Sequence, residues 1–253
     1  MRILKSFCIA FSMYSKIPMP QFKWTEEDMR YSLCFFPWVG AVIAGLLYLF
    51  GKACENFSVN PVFFLMISAA IPLLVTGGIH VDGYMDTMDA LHSYQPKEEK
   101  LRILKDPHIG AFSVIMLLLY YLVYLGFFSE VKDKSTFLIV ILGFAISRTL
   151  GGLAVVHFEP AKKDGLLRAF KDPVRKKTVS FTLILQLALA LIAGCLVNPR
   201  KMILTALGAV SFMFYYKNRC KREFGGITGD TSGWFIQILE LVILVIAVID
   251  GLF

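Results

Sequence analysis

Apolar residues occur along the chain in seven long blocks, separated by shorter polar segments. Each block has close to the roughly 17–25 residues that a helix needs to cross a bilayer core. A globule of 253 residues cannot bury seven such blocks. The pattern therefore predicts an all-α, polytopic membrane bundle of about seven transmembrane helices, in a single domain covering residues 1–253. The predicted spans are Leu33–Phe50, Pro61–Thr76, Gly110–Phe128, Thr136–Val156, Val179–Val197, Lys201–Tyr216 and Trp234–Phe253.

Composition supports this interpretation. Hydrophobic residues make up 57% of the chain and charged residues 18%, against about 45–50% and about 25% in soluble domains. These values argue against an ordinary soluble enzyme and against a disordered protein. Near the N-terminus, apolar residues recur at helical spacing at Leu4, Phe7, Cys8 and Phe11. This predicts a helix lying in the membrane interface and ended by Pro18 and Pro20, or alternatively an eighth, partly inserted helix.

The net charge of +7 is explained by topology rather than by a nucleic-acid partner, which we do not expect. Of the 26 Lys and Arg residues, 20 fall in alternate segments between the predicted spans. Basic residues in short loops stay cytoplasmic, so these segments and the N-terminus are predicted inside and the C-terminus outside. The same segments carry 14 of the 19 acids and all four histidines. They are Met1–Ser32, Gly77–Ile109, His157–Thr178 and Lys217–Gly233.

Three aspartates follow the second predicted span at spacings of four and three residues: Asp82, Asp86 and Asp89. At about 100° per residue their carboxylates share one stripe of a helix. The charges repel one another, and a divalent cation relieves that cost. Oxygen ligands favour Mg²⁺ or Mn²⁺, and Mg²⁺ typically adds substrate phosphates to one or two carboxylates. We predict a Mg²⁺ site here; the alternative is a solvated acidic face at a helix start.

Residues beside the stripe extend this candidate site. His80 could be a general base, a phosphate contact or only a polar residue at the helix start. Gly77, Gly78 and Gly83 permit close backbone approach, either to a substrate or between packed helices.

A second cluster, Leu104-Lys-Asp-Pro-His-Ile-Gly-Ala-Phe112, lies at the entry to the third predicted span. Lys105 and His108 could bind phosphate, and Asp106 could be a further metal ligand. Lys105 taken alone is more often a topology determinant.

A third cluster runs from Arg219 to Gly233, before the last span; it contains the turn Gly225-Gly-Ile-Thr-Gly-Asp230 and has four cations close by. A turn rich in Gly and Thr before a helix can form an anion-binding nest, and Asp230 could ligate a metal. A plain capping loop would also explain the Gly and Thr residues.

Arg148 lies inside the fourth predicted span. An intramembrane Arg costs about 2.5 kcal/mol or more, which marks it as a candidate for the site. Alternatively it snorkels inward or pairs with Glu240. The basic segment from Lys162 to Lys177 is predicted to set topology and contact lipid headgroups, and it could also attract an anionic substrate.

An acidic stripe and basic, glycine-rich clusters on one face of a bundle suit phosphoryl or nucleotidyl-phosphate transfer, with one substrate lipidic or bulky and amphipathic. Over most of its length the chain resembles the cobalamin synthase family (adenosylcobinamide-GDP ribazoletransferase). The segments that carry the resemblance are Thr76–His92, Lys105–Phe112 and Gly225–Asp230, together with Lys16-Ile-Pro-Met-Pro20 and Phe36-Pro-Trp-Val-Gly40.

The resemblance implies a Mg²⁺-dependent enzyme of the prokaryotic cell (inner) membrane. It would join adenosylcobinamide-GDP to α-ribazole or α-ribazole 5′-phosphate and release GMP, late in adenosylcobalamin biosynthesis. Catalytic roles then fall to His80, Asp82, Asp86 and Asp89, and metal binding to the three aspartates and Asp230. The predicted substrate-binding residues are Lys105, Asp106, His108, Gly110, Arg148, Gly225, Gly226, Thr228, Gly229 and Asp230.

The last helix departs from the expected pattern. Glu240 fits one of two expected acids, but Gln237 stands where the other should be, which makes a metal or base role there doubtful. One rival is a CDP-alcohol-type phospholipid phosphotransferase, although its D-G-x-x-A-R run is missing after Gly83. Another is a cation-coupled transporter, whose acids would sit near the bilayer midplane. Membrane lipids are expected partners, and the chain could form a homo-oligomer.

Overall fold

The computed structural model describes residues 2–161, 172 and 174–252, and it is helical almost throughout these ranges. The helices are α1 Arg2–Tyr14, α2 Glu26–Met29, α3 Phe36–Asn56, α4 Pro61–Thr76, α5 Ile79–His92, α6 Lys97–Ile103, α7 Ala111–Ser129, α8 Lys134–His157, α9 Lys176–Val197, α10 Pro199–Phe224 and α11 Gly229–Leu252. A 3₁₀ turn, Ser32–Phe35, precedes α3. Within the described ranges, β structure is limited to an isolated bridge between Pro160 and Ile227. The predicted all-α fold is confirmed.

Over the described residues, each of the seven predicted spans lies largely within one helix. Five segments in the described part of the chain are long and apolar enough to cross a membrane: Glu26–Asn56, Ala111–Ser129, Lys134–His157, Lys176–Val197 and Gly229–Asp250. The pair α4 and α5 would supply a sixth if the two formed one broken span, but it bends by 94°. Helix α10 has 26 residues, yet its apolar part lies between Lys201 and Lys217 and does not reach the same hydropathy.

Helix α8 is the centre of the bundle. In an apolar 18-residue stretch of this helix, 89% is buried inside the protein. The helix packs against α3, α9 and α11. Small residues allow the close crossings: a Cβ at Gly40 of α3 would overlap the carbonyl oxygen of Phe144, and one at Gly143 would lie 2.7 Å from Ile243 Cγ2. Because α8 is enclosed by other helices, polar side chains along it must find partners inside the protein.

The polar segments gather at the two ends of the bundle as the charge pattern predicts. At one end, Lys100 contacts Glu223 (2.5 Å), the Arg175 N–H donates to the Arg30 carbonyl (3.3 Å) and the Ile227 N–H donates to the Glu159 carbonyl (2.9 Å). At the other end, Lys201 Nζ donates to Thr136 Oγ1 (2.8 Å) and Arg200 pairs with Asp250 (2.8 Å). The grouping of the segments is thus found in the fold, while the side that faces the cytoplasm stays a prediction.

Helix α1 has 13 residues, which is too few to span a bilayer. Ile9 and Ala10 are buried in the bundle, whereas Ile3 and Leu4 are exposed. The helix packs against α2, the 3₁₀ turn and α3, and its position in the membrane interface stays a prediction. Most of the basic segment Lys162–Lys177 lies outside the described residues.

Candidate active site

A sharp break between α4 and α5 positions the aspartate stripe. Gly77 and Gly78 have φ values of 65° and 80°, in the left-handed region that side chains with a Cβ rarely adopt. Two such residues in succession end α4 and turn the chain by 94°. A helix at this angle does not continue the path of α4, so we treat α5 as lying outside the membrane-spanning segments. The stripe is thereby carried across one end of the bundle.

A glycine contact joins α5 to the start of α11. A Cβ at Gly83 would lie 2.7 Å from the Asp230 carbonyl oxygen, and one at Gly233 would lie 3.0 Å from the His80 carbonyl oxygen. The two backbones therefore approach more closely than other residues would permit. This seam, formed by Gly83 and Gly233, places Asp230 beside the stripe, as the prediction of a shared acidic site requires.

The carboxylates of the aspartate stripe and of Asp230 perturb one another. Burial, together with the neighbouring carboxylates of Asp82, Asp230 and Asp89, raises the pKa of Asp86 to about 6. Such a rise shows that placing a further negative charge here is unfavourable. The structure thus brings four carboxylates together at the end of the bundle.

The carboxylates gather without forming a complete metal cage. In residues 2–161, 172 and 174–252, no group of three or more His, Cys, Asp or Glu side chains is arranged to hold a metal ion. The assignment of Asp82, Asp86, Asp89 and Asp230 as ligands accordingly stays a prediction.

His80 is buried at the start of α5. Its side chain is 7% exposed, and its ring packs edge-on against Phe36 with centroids 5.8 Å apart. Its Nε2 atom is buried and lacks a hydrogen-bond partner among the described residues.

Two cavities adjoin the acidic cluster. An open cleft of about 480 Å³ lies between the end of α1 and the α4–α5 break, and Lys16 and Asp82 are on its walls. A more enclosed cavity of about 240 Å³ lies between α1, α5, α8 and α11, and Asp82 and Asp230 are on its walls. Asp82 therefore lines both spaces.

The second cluster is only partly brought to this site. Lys105, Asp106 and His108 lie in an exposed loop, where His108 Nδ1 is 2.7 Å from Asp106 Oδ1. The backbone N–H of His108, followed by its ring, keeps the pKa of Asp106 below its ordinary value. Gly110 does reach the stripe, because a Cβ there would overlap the Asp89 carboxylate.

Much of the third cluster has a structural task. Gly225 ends α10 with a φ of 79°, and a Cβ at Gly226 would lie 2.5 Å from the Glu159 carbonyl oxygen. Thr228 caps α11, since its Oγ1 accepts a hydrogen bond from the Thr231 N–H at 3.1 Å, the usual N-cap arrangement. Gly229 and Asp230 line the enclosed cavity, so a substrate contact is available there. Gly225 and Gly226 line a separate cavity of about 200 Å³ together with Lys217 and Lys221.

Arg148 lies inside the bundle rather than on the walls of the two cavities. Its side chain is 1% exposed and its Nη1 is 2.6 Å from Glu240 Oε1. Of the alternatives set out from the sequence, pairing with Glu240 is the one observed. Gln237 also has a structural partner, because its Nε2 donates to the Tyr120 hydroxyl at 2.9 Å.

The structure adds residues that the sequence did not single out for the site. Lys16 lines the cleft, while Tyr14, Phe36 and Val155 line the enclosed cavity. Lys16 and Phe36 belong to the two N-terminal motifs that carry the family resemblance, which was the available signal. Nothing in the local sequence marks Tyr14 or Val155.

Fold and site together define an all-helical membrane protein with an acidic, glycine-lined site at one end of its bundle. The model of the cobalamin-5-phosphate synthase family matches residues 6–248, and the chain belongs to this family. The resemblance stated from the motifs is confirmed.

Curated relatives named adenosylcobinamide-GDP ribazoletransferase match along nearly the whole chain. The protein of Lachnoclostridium phytofermentans is 43% identical over 95% of this chain and 92% of its own length. That of Clostridium perfringens is 32% identical over 93% and 94%, and that of Treponema denticola 32% identical over 95% and 96%. No solved structure matches this chain.

Proposed function

We propose that the protein transfers the adenosylcobinamide phosphate group from adenosylcobinamide-GDP to α-ribazole or α-ribazole 5′-phosphate, and that GMP is released. Relatives that carry this activity in their names support the proposal. The structural observation that carries it is the position of Asp82, which lines both the open cleft and the enclosed cavity. A transfer between two substrates needs two spaces that meet at the reacting groups.

The open cleft suits the diphosphate of the larger substrate. It has about 480 Å³ of accessible space and opens to the surroundings, so the corrinoid and guanosine parts can extend beyond it. Lys16 supplies a cation on its wall, and its side chain passes over Gly77 where a Cβ would collide with it. An ammonium group at this position would bind phosphate oxygens as a charge-assisted hydrogen-bond donor.

The donor set fits a Mg²⁺ ion that is completed by substrate. Asp86 and its carboxylate neighbours would hold the ion, and the repulsion that raises the pKa of Asp86 to about 6 is the cost that a cation would remove. Mg²⁺ usually binds one or two carboxylates plus substrate phosphates. It therefore does not require a preformed group of three protein ligands, and none is found among the described residues. When bound, the ion would neutralise charge on the diphosphate.

The chain's own residues account for the remaining steps. A hydroxyl of the ribazole attacks the phosphorus on the cobinamide side, and the bond from that phosphorus to the bridging oxygen breaks. GMP leaves with the bonding electrons. The hydroxyl proton passes to a carboxylate of the cluster, and Asp82 stands at the junction because it lines both spaces. Orientation at this junction is the main contribution of α5 and α11.

The membrane placement of the site is part of the proposal. Basic residues are concentrated at the end of the bundle that holds the cluster, which supports a cytoplasmic active site, a cytoplasmic N-terminus and an external C-terminus. A prokaryotic cell membrane is the expected location. Lipid contact would then fall on the exposed apolar faces of helices such as α7 and α9.

The test uses the full-length protein in proteoliposomes with adenosylcobinamide-GDP, α-ribazole and Mg²⁺. The wild type should release GMP and form the corrinoid product, and Asp82→Asn and Asp86→Asn should lose most activity while remaining folded. Glu98→Gln, an exposed acid of α6, is the matched control and should behave as the wild type. Full turnover by both Asp variants at saturating Mg²⁺ would show that the cluster is not required for catalysis.

The same preparation distinguishes the rival activities. A CDP-alcohol phosphotransferase would release CMP from a CDP-alcohol, and a cation-coupled transporter would move solute without releasing either nucleotide. We expect GMP release alone.

A further inference from the structure

The enclosed cavity is built for a ligand different from that of the cleft. Its accessible volume of about 240 Å³ is below the roughly 300–1,000 Å³ of sites for drug-sized molecules. Most of its lining is apolar, with Phe36, Val155 and Ile236 on the walls, and Asp82 and Asp230 at its polar side. Among the described residues, no Lys or Arg is on its walls. Such a space suits a small neutral group and disfavours a phosphate.

Aromatic rings form one side of this cavity. Tyr14 and Phe36 contact each other with ring centroids 4.3 Å apart, and Phe36 in turn contacts the ring of His80. Flat heterocycles are commonly bound between aromatic side chains, because stacking contributes about 1–3 kcal/mol per nucleic-acid base. The shape and chemistry of the wall therefore favour a planar, aromatic ligand.

His80 provides a polar atom without a partner beside this wall. Its side chain is 7% exposed, and its Nε2 is buried without a hydrogen bond among the described residues. A buried polar atom of this kind calls for an explanation. In neutral imidazole either ring nitrogen can carry the proton. His80 lines the cavity, so a turn of its ring that exposes Nε2 would let this atom donate to an acceptor nitrogen of a bound heterocycle.

We infer that the enclosed cavity binds the aromatic base of the ribazole acceptor, with His80 Nε2–H donating to the unsubstituted ring nitrogen and the ribose directed towards Asp82 and Asp230. The inference rests on the proposed function. A benzimidazole is flat and apolar and has one such nitrogen. Its ribose hydroxyls would meet the carboxylates where the cavity joins the cleft. A 5′-phosphate, when present, would lie outside the cavity, since its walls carry no Lys or Arg within the described ranges.

The first test changes the volume of the cavity. Val155→Phe places a ring in it, whereas Val114→Phe makes the same substitution at an exposed position of α7 and is the control. We expect Val155→Phe to raise the KM for α-ribazole by about tenfold or more, equivalent to about 1.4 kcal/mol. The KM for adenosylcobinamide-GDP should change less than about twofold. Val114→Phe should alter neither.

A milder variant covers the case in which Val155→Phe does not fold. Val155→Ala enlarges the cavity and should shift preference from α-ribazole towards the riboside of the larger naphthimidazole. An unchanged preference in a folded Val155→Ala protein would count against the subsite.

The role of His80 is tested with a pair of acceptors. The riboside of indole matches that of benzimidazole in shape but lacks the acceptor nitrogen. The wild type should prefer the benzimidazole by about tenfold in kcat/KM, and His80→Phe should lose most of this preference. Retention of the full preference in His80→Phe would overturn the assigned hydrogen bond.

The subsite and the proposed function fail in different ways. If the wild type releases no GMP with both substrates present, the proposed function is wrong. If it releases GMP but Val155→Phe matches Val114→Phe, or weakens both substrates equally, the function stands and the assignment of the cavity is wrong.

Discussion

Arg148 and Glu240 form an ion pair of 2.6 Å in which both side chains are almost completely buried. The Arg148 guanidinium also donates to the Phe144 carbonyl at 2.8 Å, and the Ser147 hydroxyl donates to Glu240 at 3.1 Å. The pair ties the central helix α8 to α11, which begins at the acidic cluster. This arrangement gives the intramembrane Arg a structural explanation.

Removing one member of this pair should destabilise the bundle strongly. Arg148→Met leaves the Glu240 carboxylate buried and unpaired, which costs about 3–5 kcal/mol, whereas a buried pair replaced on both sides by apolar groups is often close to neutral. We expect a large fall in the thermal midpoint for the single variant and recovery of most of it in Arg148→Met/Glu240→Met. A double variant that folds normally but has lost GMP release would instead indicate that Arg148 or Glu240 acts on the substrate.

The contact between α5 and α11 should not tolerate a methyl group. In Gly83→Ala the new Cβ would lie 2.7 Å from the Asp230 carbonyl oxygen, which forces the helices apart at a cost of about 1–3 kcal/mol. Displacing Asp230 by even about 1 Å can reduce turnover by up to about 100-fold. Gly45→Ala in α3 is the matched control, because nothing lies within 4 Å of a Cβ there. Equal activity of the two variants would contradict the importance of the seam.

The carboxylate cluster should slightly destabilise the cation-free protein and should bind a divalent cation. With EDTA present, Asp86→Asn should melt at or above the wild-type temperature, since it removes repulsion worth a few tenths of a kcal/mol per neighbouring charge. Added Mg²⁺ should raise the wild-type midpoint and leave that of Asp86→Asn nearly unchanged. Glu98→Gln should follow the wild type in both conditions. A full Mg²⁺ response in Asp86→Asn would count against a metal site at this residue.

Replacing Lys16 should weaken the binding of adenosylcobinamide-GDP selectively. Lys16→Met removes the cation from the cleft, and a charged hydrogen bond contributes about 1.5–3 kcal/mol. The KM for adenosylcobinamide-GDP should therefore rise about tenfold or more, with little change in the KM for α-ribazole. Lys23→Met alters another exposed Lys of the N-terminal segment and should leave both values unchanged. The reverse pattern, with α-ribazole affected, would exchange the assignments of the two spaces.

The helices and the aspartate stripe could be predicted because both depend on nearby residues. Apolar runs of near-spanning length give helices, and the spacing of Asp82, Asp86 and Asp89 fixes their common face once α5 forms. A plain capping loop was one alternative for the third cluster, and the N-cap at Thr228 agrees with it, because capping depends on the next three residues.

Other parts of the site depend on tertiary contacts that the chain does not reveal locally. Arg148 is buried and paired with Glu240 because α8 is central, and only the packing of the other helices determines this position. The sequence predicts a phosphate role for Gly225 and Gly226, which stays a prediction; the structure adds that they serve a helix end and a close approach to Glu159. The enclosed cavity brings together Tyr14, Val155 and Ile236, which are far apart in sequence.

The seam of Gly83 and Gly233 limits how the site can open. Two helices whose backbones touch behave as one rigid body, so α5 and the first turn of α11 cannot separate to admit a substrate without losing their contact. Among the described residues, the end of α1 borders both spaces without belonging to this seam, with Lys16 on the cleft and Tyr14 on the enclosed cavity. We therefore expect a substrate to enter past the end of α1 rather than between α5 and α11.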